Sequence, residues 1–597
     1  MDKGIYEYIL NEESAWKTTR IPITESKDWN MYEHIQRCMN VSNGWFHSGK
    51  NDGMRPYKDI VTPIIDVAFR AEGFDVKDIV PFVDDKDHYY KSFLVKKYHP
   101  QWARKHELDT FIDEVVESSI IYDLVLVKKV GKVRPEVVPL QEIAFCDQTD
   151  VLAGSICLKH QYSISELLGF KGKWDSTKID EAITMAKASK EVSLANKKEA
   201  KTPGKYIEVY ELHGTFPDSW LNDSASPDSY SSQMHIVCYW LGSDGQKHGL
   251  TLFKGKEKES IFRALKIDTV RSFGRACGRS IVERLFEPQV WANYSEIRIK
   301  KLLDAASIVL FQSEGNELSN QNLDKLTNNR VIDNKGKPIT KLDTTAGANL
   351  SAFSNKQEEL KSDARMLGNA SEASLGKNPV AGTPFSTVEA IIQQGDGIHE
   401  YRQGKIATFF ADILYRDWIL DFLVNEMNGG INFSEELSLE ELKEISETII
   451  TNQINKKIKD QILNGTIPTP EVVSAWQEKF TAEFMKGGNR RFFQILKDEL
   501  KNIPTNVMVN ISGKQRNMAK NADRLSKLIS NILTNPQAFT MIPGLGSAYN
   551  QLLEESGMNP IDFSQIIKGV SETPEIKTKQ LSSPVGSGDI KNEEKQL

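Results

Sequence analysis

Asp84-Asp85-Lys86-Asp87-His88 brings three carboxylates and an imidazole into five consecutive residues. Those ligand types hold divalent metals in nucleases, so this run is the candidate for metal-dependent phosphodiester cleavage. The same composition also makes an ordinary acidic surface loop. Arg271, Arg275, Arg279 and Arg284 recur near every fourth position. On a helix they would form a basic stripe facing phosphates or a neighbouring subunit's carboxylates, or simply a solvated face. No complete G-x-x-x-x-G-K-[ST] phosphate loop occurs: Ile511-Ser512-Gly513-Lys514-Gln515 is too short and lacks the hydroxyl after lysine. No HExxH or EF-hand pattern occurs either. The chain is therefore not read as an ATP-burning motor, and we expect a non-enzyme with no cofactor. Five scattered cysteines (Cys38, Cys146, Cys157, Cys238, Cys277) without a CxxC pair argue against a disulfide framework or a zinc site. The ten histidines are dispersed, and single ones are usually structural or exposed.

The elements that would position these groups follow from length and pattern. At 597 residues the chain is too long for one core, and about four domains is the soft prior. Lys plus Arg is 75 against 82 Asp plus Glu, a formal charge of −7. A generic DNA-coating protein would be basic; a protein that DNA must slide past need not be. The N-terminus lacks a basic-then-apolar signal. The longest uncharged run, Leu528–Leu553, is interrupted by Asn531, Asn535, Pro536, Gln537 and Pro543, so it predicts no membrane span. Both readings place the protein in the cytoplasm of the cell that makes it.

The most ordered pattern lies between Gly278 and Met427. Ser280 and Glu283 have capping-box spacing at the start of a helix that runs past Pro288 toward Leu302 and Leu303. Proline there predicts a kink. Ser307–Phe311 reads as a strand, and Val331–Ile339 as a strand entering a polar turn with Asn334, Lys335 and Lys337. A helix returns with Leu350, Phe353, Leu360, Ala364 and Leu367 on one narrow apolar stripe, suited to a thin wall. Asn369–Phe385 is small and nearly uncharged, with Gly376, Lys377, Asn378, Pro379 and Gly382; loops this long are usually functional or disordered. A further helix, from Ser386 to about Met427, would reach roughly 60 Å unbroken. Gly395, Gly397 and Gly404 predict a bend, and the apolar second half from Ile406 to Phe422 predicts burial.

This order of parts resembles the portal protein of tailed double-stranded DNA bacteriophages, in which two stem helices flank an α/β clip and a tunnel loop leads into a long kinked helix. Gly274-Arg275-Ala276-Cys277-Gly278-Arg279-Ser280-Ile281-Val282-Glu283-Arg284-Leu285 is similar to the family's Gly-Arg-Gly-x-x-Glu-x-Leu approach to the first stem helix, with Ser280 where glycine is common. The resemblance implies an α+β portal fold. Its parts would be an N-terminal wing (1–277), first stem helix (278–306), clip (307–349), second stem helix (350–368), tunnel loop (369–385), long kinked helix (386–428), helical C-terminal wing (429–505), mostly helical crown (506–570) and disordered tail (571–597). It further implies a homo-oligomeric ring of about twelve copies at one capsid vertex. DNA would pass through the channel near Lys377, Asn378, Gly376 and Gly382. Arg275, Arg279, Arg284, Leu302, Leu303, Phe353 and Leu360 would make stem and subunit contacts. Asn334, Lys335 and Lys337 would dock terminase, then head-completion or neck connector proteins, while the wing meets major capsid protein and scaffold. The location would be the virion. The rivals are a metal-dependent phage nuclease using Asp84, Asp85, Asp87 and His88, and another structural neck or scaffold protein.

Outside this device the residues predict a polar arm over 1–20, then helices around Trp29–Met39, Pro56–Phe69 and Trp102–Ile121. A hairpin is predicted across Gly131-Lys132 and a strand at Ser155–His160. A short helix should start at Ser163, and 171–204 reads as an exposed helix plus linker. Strands are predicted at Tyr206–Tyr210, His235–Trp240 and Val507–Ile511, and helices from Ser438, from Pro470 and near Phe492–Leu500. From about Ser571 the composition is that of a disordered segment.

Overall fold

The computed structural model describes residues 2–25, 27–44, 57–82, 89–131, 134–195, 206–222, 226, 228–241, 248–268, 274–307, 311–313, 339–341, 346–370, 375, 385–436, 439–463, 467–486, 490–495 and 506–509. All of them fall in one compact unit, Met1–Ile511; Ser512–Leu597 form a second unit outside the described residues, with most of the expected crown and all of the tail.

The chain opens with α1 (Asp2–Thr18), β1 (Ile21–Thr24), β2 (Lys27–Trp29), α2 (Met31–Ser42), α3 (Thr62–Glu72) and β3 (Ile79–Phe82). The polar arm expected over 1–20 is instead a helix whose Ile5, Tyr6, Ile9 and Trp16 are buried. Its apolar residues are few but keep helical spacing, and that one stripe packs on the body. α4 (Tyr89–Lys105) and α5 (Leu108–Tyr122) follow, and α5 buries Phe111, Ile112, Val115 and Val116 as its pattern predicts. β4 (Val125–Val130) and β5 (Arg134–Val137) form the expected hairpin, turning at Gly131 with φ +64°. Then come β6 (Ile143–Phe145), β7 (Ile156–Ser163), α6 (Ile164–Gly169), α7 (Ser176–Ala195), β8 (Tyr206–Pro217), β9 (Tyr230–Leu241), β10 (His248–Lys256) and β11 (Phe262–Leu265). The Ser163–Glu166 capping box is complete in both directions. α7 is not the solvated helix its composition suggests, because Ile179, Ala182 and Ile183 close a second core with Val209, Val237 and Tyr239.

Two antiparallel sheets organise this half. One has the order β10-β9-β8-β7-β6, the other β11-β4-β5.

Next stand α8 (Ile281–Ser307), β12 (Phe311–Ser313), β13 (Ile339–Lys341), α9 (Ala346–Leu367) and α10 (Phe385–Phe409). β12 and β13 pair antiparallel, Phe311 opposite Lys341. Gln357 hydrogen-bonds Glu296, each residue lying the same distance along its helix from that ribbon. α8 and α9 are thus an up-and-down pair. Their flanks at 308–310 and 342–345, and Asn334, Lys335 and Lys337 where a turn is expected, lie outside the described residues. So do Gly376, Lys377, Asn378 and Gly382, and the acidic run Asp84, Asp85, Asp87 and His88.

α10 runs through Gly395, Gly397 and Gly404 as one α-helix. The departure comes later: Phe410–Ile419 is a π-helix, where the Leu420 N–H reaches back five residues to the Tyr415 carbonyl. The widened turns bury Phe410, Leu414, Tyr415, Trp418 and Ile419, more of the circumference than one α-helical stripe covers. α11 (Leu420–Met427), β14 (Ile431–Glu436), α12 (Leu439–Leu463), α13 (Pro470–Lys486), β15 (Arg490–Ile495) and β16 (Asn506–Val509) complete the described chain. The helix expected near Phe492–Leu500 begins instead as β15, paired antiparallel with β14. β16 pairs with β3, so its residues belong with the N-terminal unit rather than with the residues after Ser512. Among the described residues, no helix is long and apolar enough to cross a membrane.

Candidate functional site

Two groups of buried ionisable residues stand out, and neither is the acidic run that the sequence singles out.

The first is the junction where α8 leaves the body and α10 returns to it. Gly274 turns the chain at φ +74°. Arg275 is then buried, with Nη1 3.0 Å from Glu283 Oε1 and its guanidinium 5.3 Å from the Trp29 ring centroid. The Ser280 hydroxyl accepts the Glu283 N–H at 2.9 Å, as the cap spacing predicts, and the Glu283 carboxylate serves Arg275. A Cβ at Gly278 would lie 1.7 Å from Asp123 Oδ2, so only glycine lets the two segments meet. Asp123 Oδ2 accepts the Asp268 N–H at 2.8 Å, while Oδ1 accepts from Arg402 Nη1 at 2.7 Å. Arg402, on α10, also donates to Glu72 Oε1 at 2.8 Å and to the Ser119 carbonyl at 2.9 Å. His399 Nδ1 lies 2.9 Å from the same Glu72 oxygen, and Gln403 caps the Gly73 carbonyl. Burial works to raise the Asp123 carboxyl and outweighs the Arg402 guanidinium, which pulls it down. One guanidinium thereby joins α3, α5, the approach to α8, and α10.

Arg275, Arg279 and Arg284 do not form a stripe, and Arg271 lies outside the described residues. Arg275 and Arg279 precede the helix, Arg275 is spent inside the chain, and Arg284 is half-buried, 3.6 Å from Asp268. Of the three arginines expected at a subunit contact, Arg279 alone is exposed. Among the apolar stem residues, Leu360 is buried against the chain, Leu302 and Phe353 are half-buried, and Leu303 is 52% exposed. Trp291, Tyr294, Met366, Leu367, Ile398 and Tyr401 on α8, α9 and α10 are exposed as well.

The second group was not legible from the dispersed histidines. Register gathers three of them, together with Lys128, at Glu211. On β8, Glu211 and His213 share a face; on β9, His235 sits directly opposite His213. Glu211 Oε1 lies 2.9 Å from His213 Nε2 and 2.8 Å from His235 Nε2. Oε2 lies 2.5 Å from Lys128 Nζ, on β4, and 2.8 Å from His160 Nε2, on β7. The His213 and His235 rings stack at 4.3 Å. Burial would raise the Glu211 carboxyl, but its contacts with His160, His213 and His235 and the Lys128 charge outweigh that and hold it well below the usual carboxylate range. Burial pushes His213 down to about 4, against the pull of Glu211. The sequence signal was the alternation Glu211-x-His213 in a strand; the missing fact was which residue β9 would set across from it.

No protein-family model matches the chain, and no curated protein matches it.

Proposed function

We propose that the chain is a portal protein: a ring-forming structural subunit whose axial channel carries double-stranded DNA into and out of a phage capsid. The observation that supports this most is the up-and-down pair α8 and α9 bracketing a small β-ribbon, with apolar side chains left outward on α8, α9 and α10. Isolated exposed apolar residues need no explanation. Here they recur on the thin helices that the order of elements assigns to a ring wall, and a closed head-to-tail ring would bury them. Lys377 and Asn378 then face DNA as loose, salt-sensitive contacts. Asn334, Lys335 and Lys337 carry the docking surface for terminase and later connectors. The protein acts as conduit and platform, without bond chemistry.

The test is sedimentation velocity on the full chain and on a Trp291→Asp/Tyr401→Asp double variant. Wild type should sediment as a single large closed oligomer and the variant as a monomer. A monomeric wild type under all salt conditions would sink the reading.

A further inference from the structure

We propose that Glu211, His213 and His235 form a binding site for one divalent transition-metal cation of the zinc, cobalt or nickel class. The argument does not depend on ring formation. Three donor atoms, Oε1 of Glu211 and Nε2 of each histidine, already converge within 4.8 Å of one another. They come from two strands whose register places His213 and His235 face to face. The carboxylate is held in one orientation, because Lys128 and His160 occupy Oε2 and leave Oε1 toward the two imidazoles.

Protein contacts alone leave this arrangement incomplete. His235 Nε2 is buried and sits 2.8 Å from Oε1, yet it lacks the alignment of a hydrogen bond and has no other partner. A cation placed between Oε1 and the two Nε2 atoms would give that nitrogen a partner. Zinc-type ions bind imidazole nitrogen and carboxylate oxygen at about 2.0–2.2 Å. Tetrahedral ligands at that radius stand about 3.4 Å apart, so the donors must open by about half an ångström, within the reach of small side-chain rotations. On the far side of the ring, His235 Nδ1 is 3.7 Å from Glu257 Oε1. A carboxylate behind a ligating histidine favours the tautomer that presents Nε2 to a metal. Next to His213 the β8–β9 register shifts between Gly214 and Phe216, a bulge of the kind that re-aims side chains.

Imidazole nitrogen with a single carboxylate suits zinc, cobalt and nickel better than magnesium or calcium, which prefer all-oxygen shells. The Lys128 charge opposes a second cation nearby, and the Glu142 and Glu257 carboxylates beside His160 and His235 offset it. Two histidines and one carboxylate leave a fourth position for water.

The experiment uses the untagged full chain, stripped with chelator and equilibrated with cobalt(II). We expect one cobalt per chain by elemental analysis, a visible d–d absorption band, and loss of that band when zinc is added. His235→Gln and His213→Gln should each bind cobalt at least about tenfold more weakly while the far-ultraviolet circular dichroism stays unchanged. If wild type retains no cobalt and shows no band, the site does not exist. If both variants keep wild-type cobalt content and spectrum, the cation sits elsewhere and the assignment is wrong. If a variant misfolds, X-ray absorption of the cobalt-loaded wild type is read instead: two imidazoles with one carboxylate support the site, and a sulfur-containing or all-oxygen shell overturns it.

Discussion

The packed interior and the outer faces of α8, α9 and α10 differ in how they treat apolar and charged groups. In the body, Trp102, Phe111, Tyr239, Tyr415 and Trp418 are fully enclosed, and even charges go inside when paired: Glu72, Asp123 and Arg402 are all buried. On α8, α9 and α10, large apolar side chains such as Trp291, at 58% exposure, stay outside, while Glu358 and Lys361 pair on the surface. The enclosed side chains hold the fold together, while the exposed ones are the surface that the proposed ring would cover. The two meet at Arg402, which ties α10 to Glu72 of α3 and to Asp123 at the end of α5.

Breaking that tie should produce the largest effect. Arg402→Ala leaves Glu72 and Asp123 buried without their cation, and stripping one partner from such a group costs about 3–5 kcal/mol. Urea unfolding should show it; a loss below about 1 kcal/mol would mean the junction is peripheral. Acid should weaken the body next. Burial lowers His34 and His99 to about 4 from 6.5. Between those values the unfolded chain takes up protons that the folded one refuses, so stability is level above pH 7 and falls toward pH 4. The full fall is on the order of 3 kcal/mol per histidine. His99→Asn should flatten part of that slope in urea titrations at several pH values, and an unchanged slope would clear His99.

Gly278→Ala tests the close approach to Asp123 and should cost about 1–3 kcal/mol as overpacking, read as a lower midpoint in thermal unfolding. Ser280→Ala removes only the cap at the root of α8 and should cost about 1 kcal/mol. Smallest of all, the Trp291→Asp/Tyr401→Asp pair should shift monomer stability by no more than about 0.5 kcal/mol, while abolishing the proposed assembly. A large loss of monomer stability would show that these side chains already serve the body, and the contrast between the two regions would fail.

Much of this contrast could be read from local pattern. Capping at Ser163 and Ser280, the hairpin across Gly131, and the burial of Phe409 to Phe422 all rest on neighbours in sequence, where spacing carries the information. Readings failed where distant segments decide. Residues 1–20 look like a tail until their four-residue apolar rhythm finds a sheet to lie on. Phe492-Phe493-Gln494-Ile495 has no helical or strand period long enough to choose, and β14 chooses for it. The arginines at 275, 279 and 284 share a spacing, but the chain is not helical until Ile281, so they point to different places. Both ionic groups were hidden for the same reason: Arg402 meets Glu72 and Asp123, and His235 meets His213, only through tertiary packing or strand register.

A portal subunit would pack the outer faces of α8, α9 and α10 against other copies of the chain around an open axis. Electron microscopy of the purified full-length protein tests this most directly. The account predicts closed rings of one size, each with a central hole wide enough for duplex DNA. A field of compact single chains, or of oligomers with no axial opening, would contradict it.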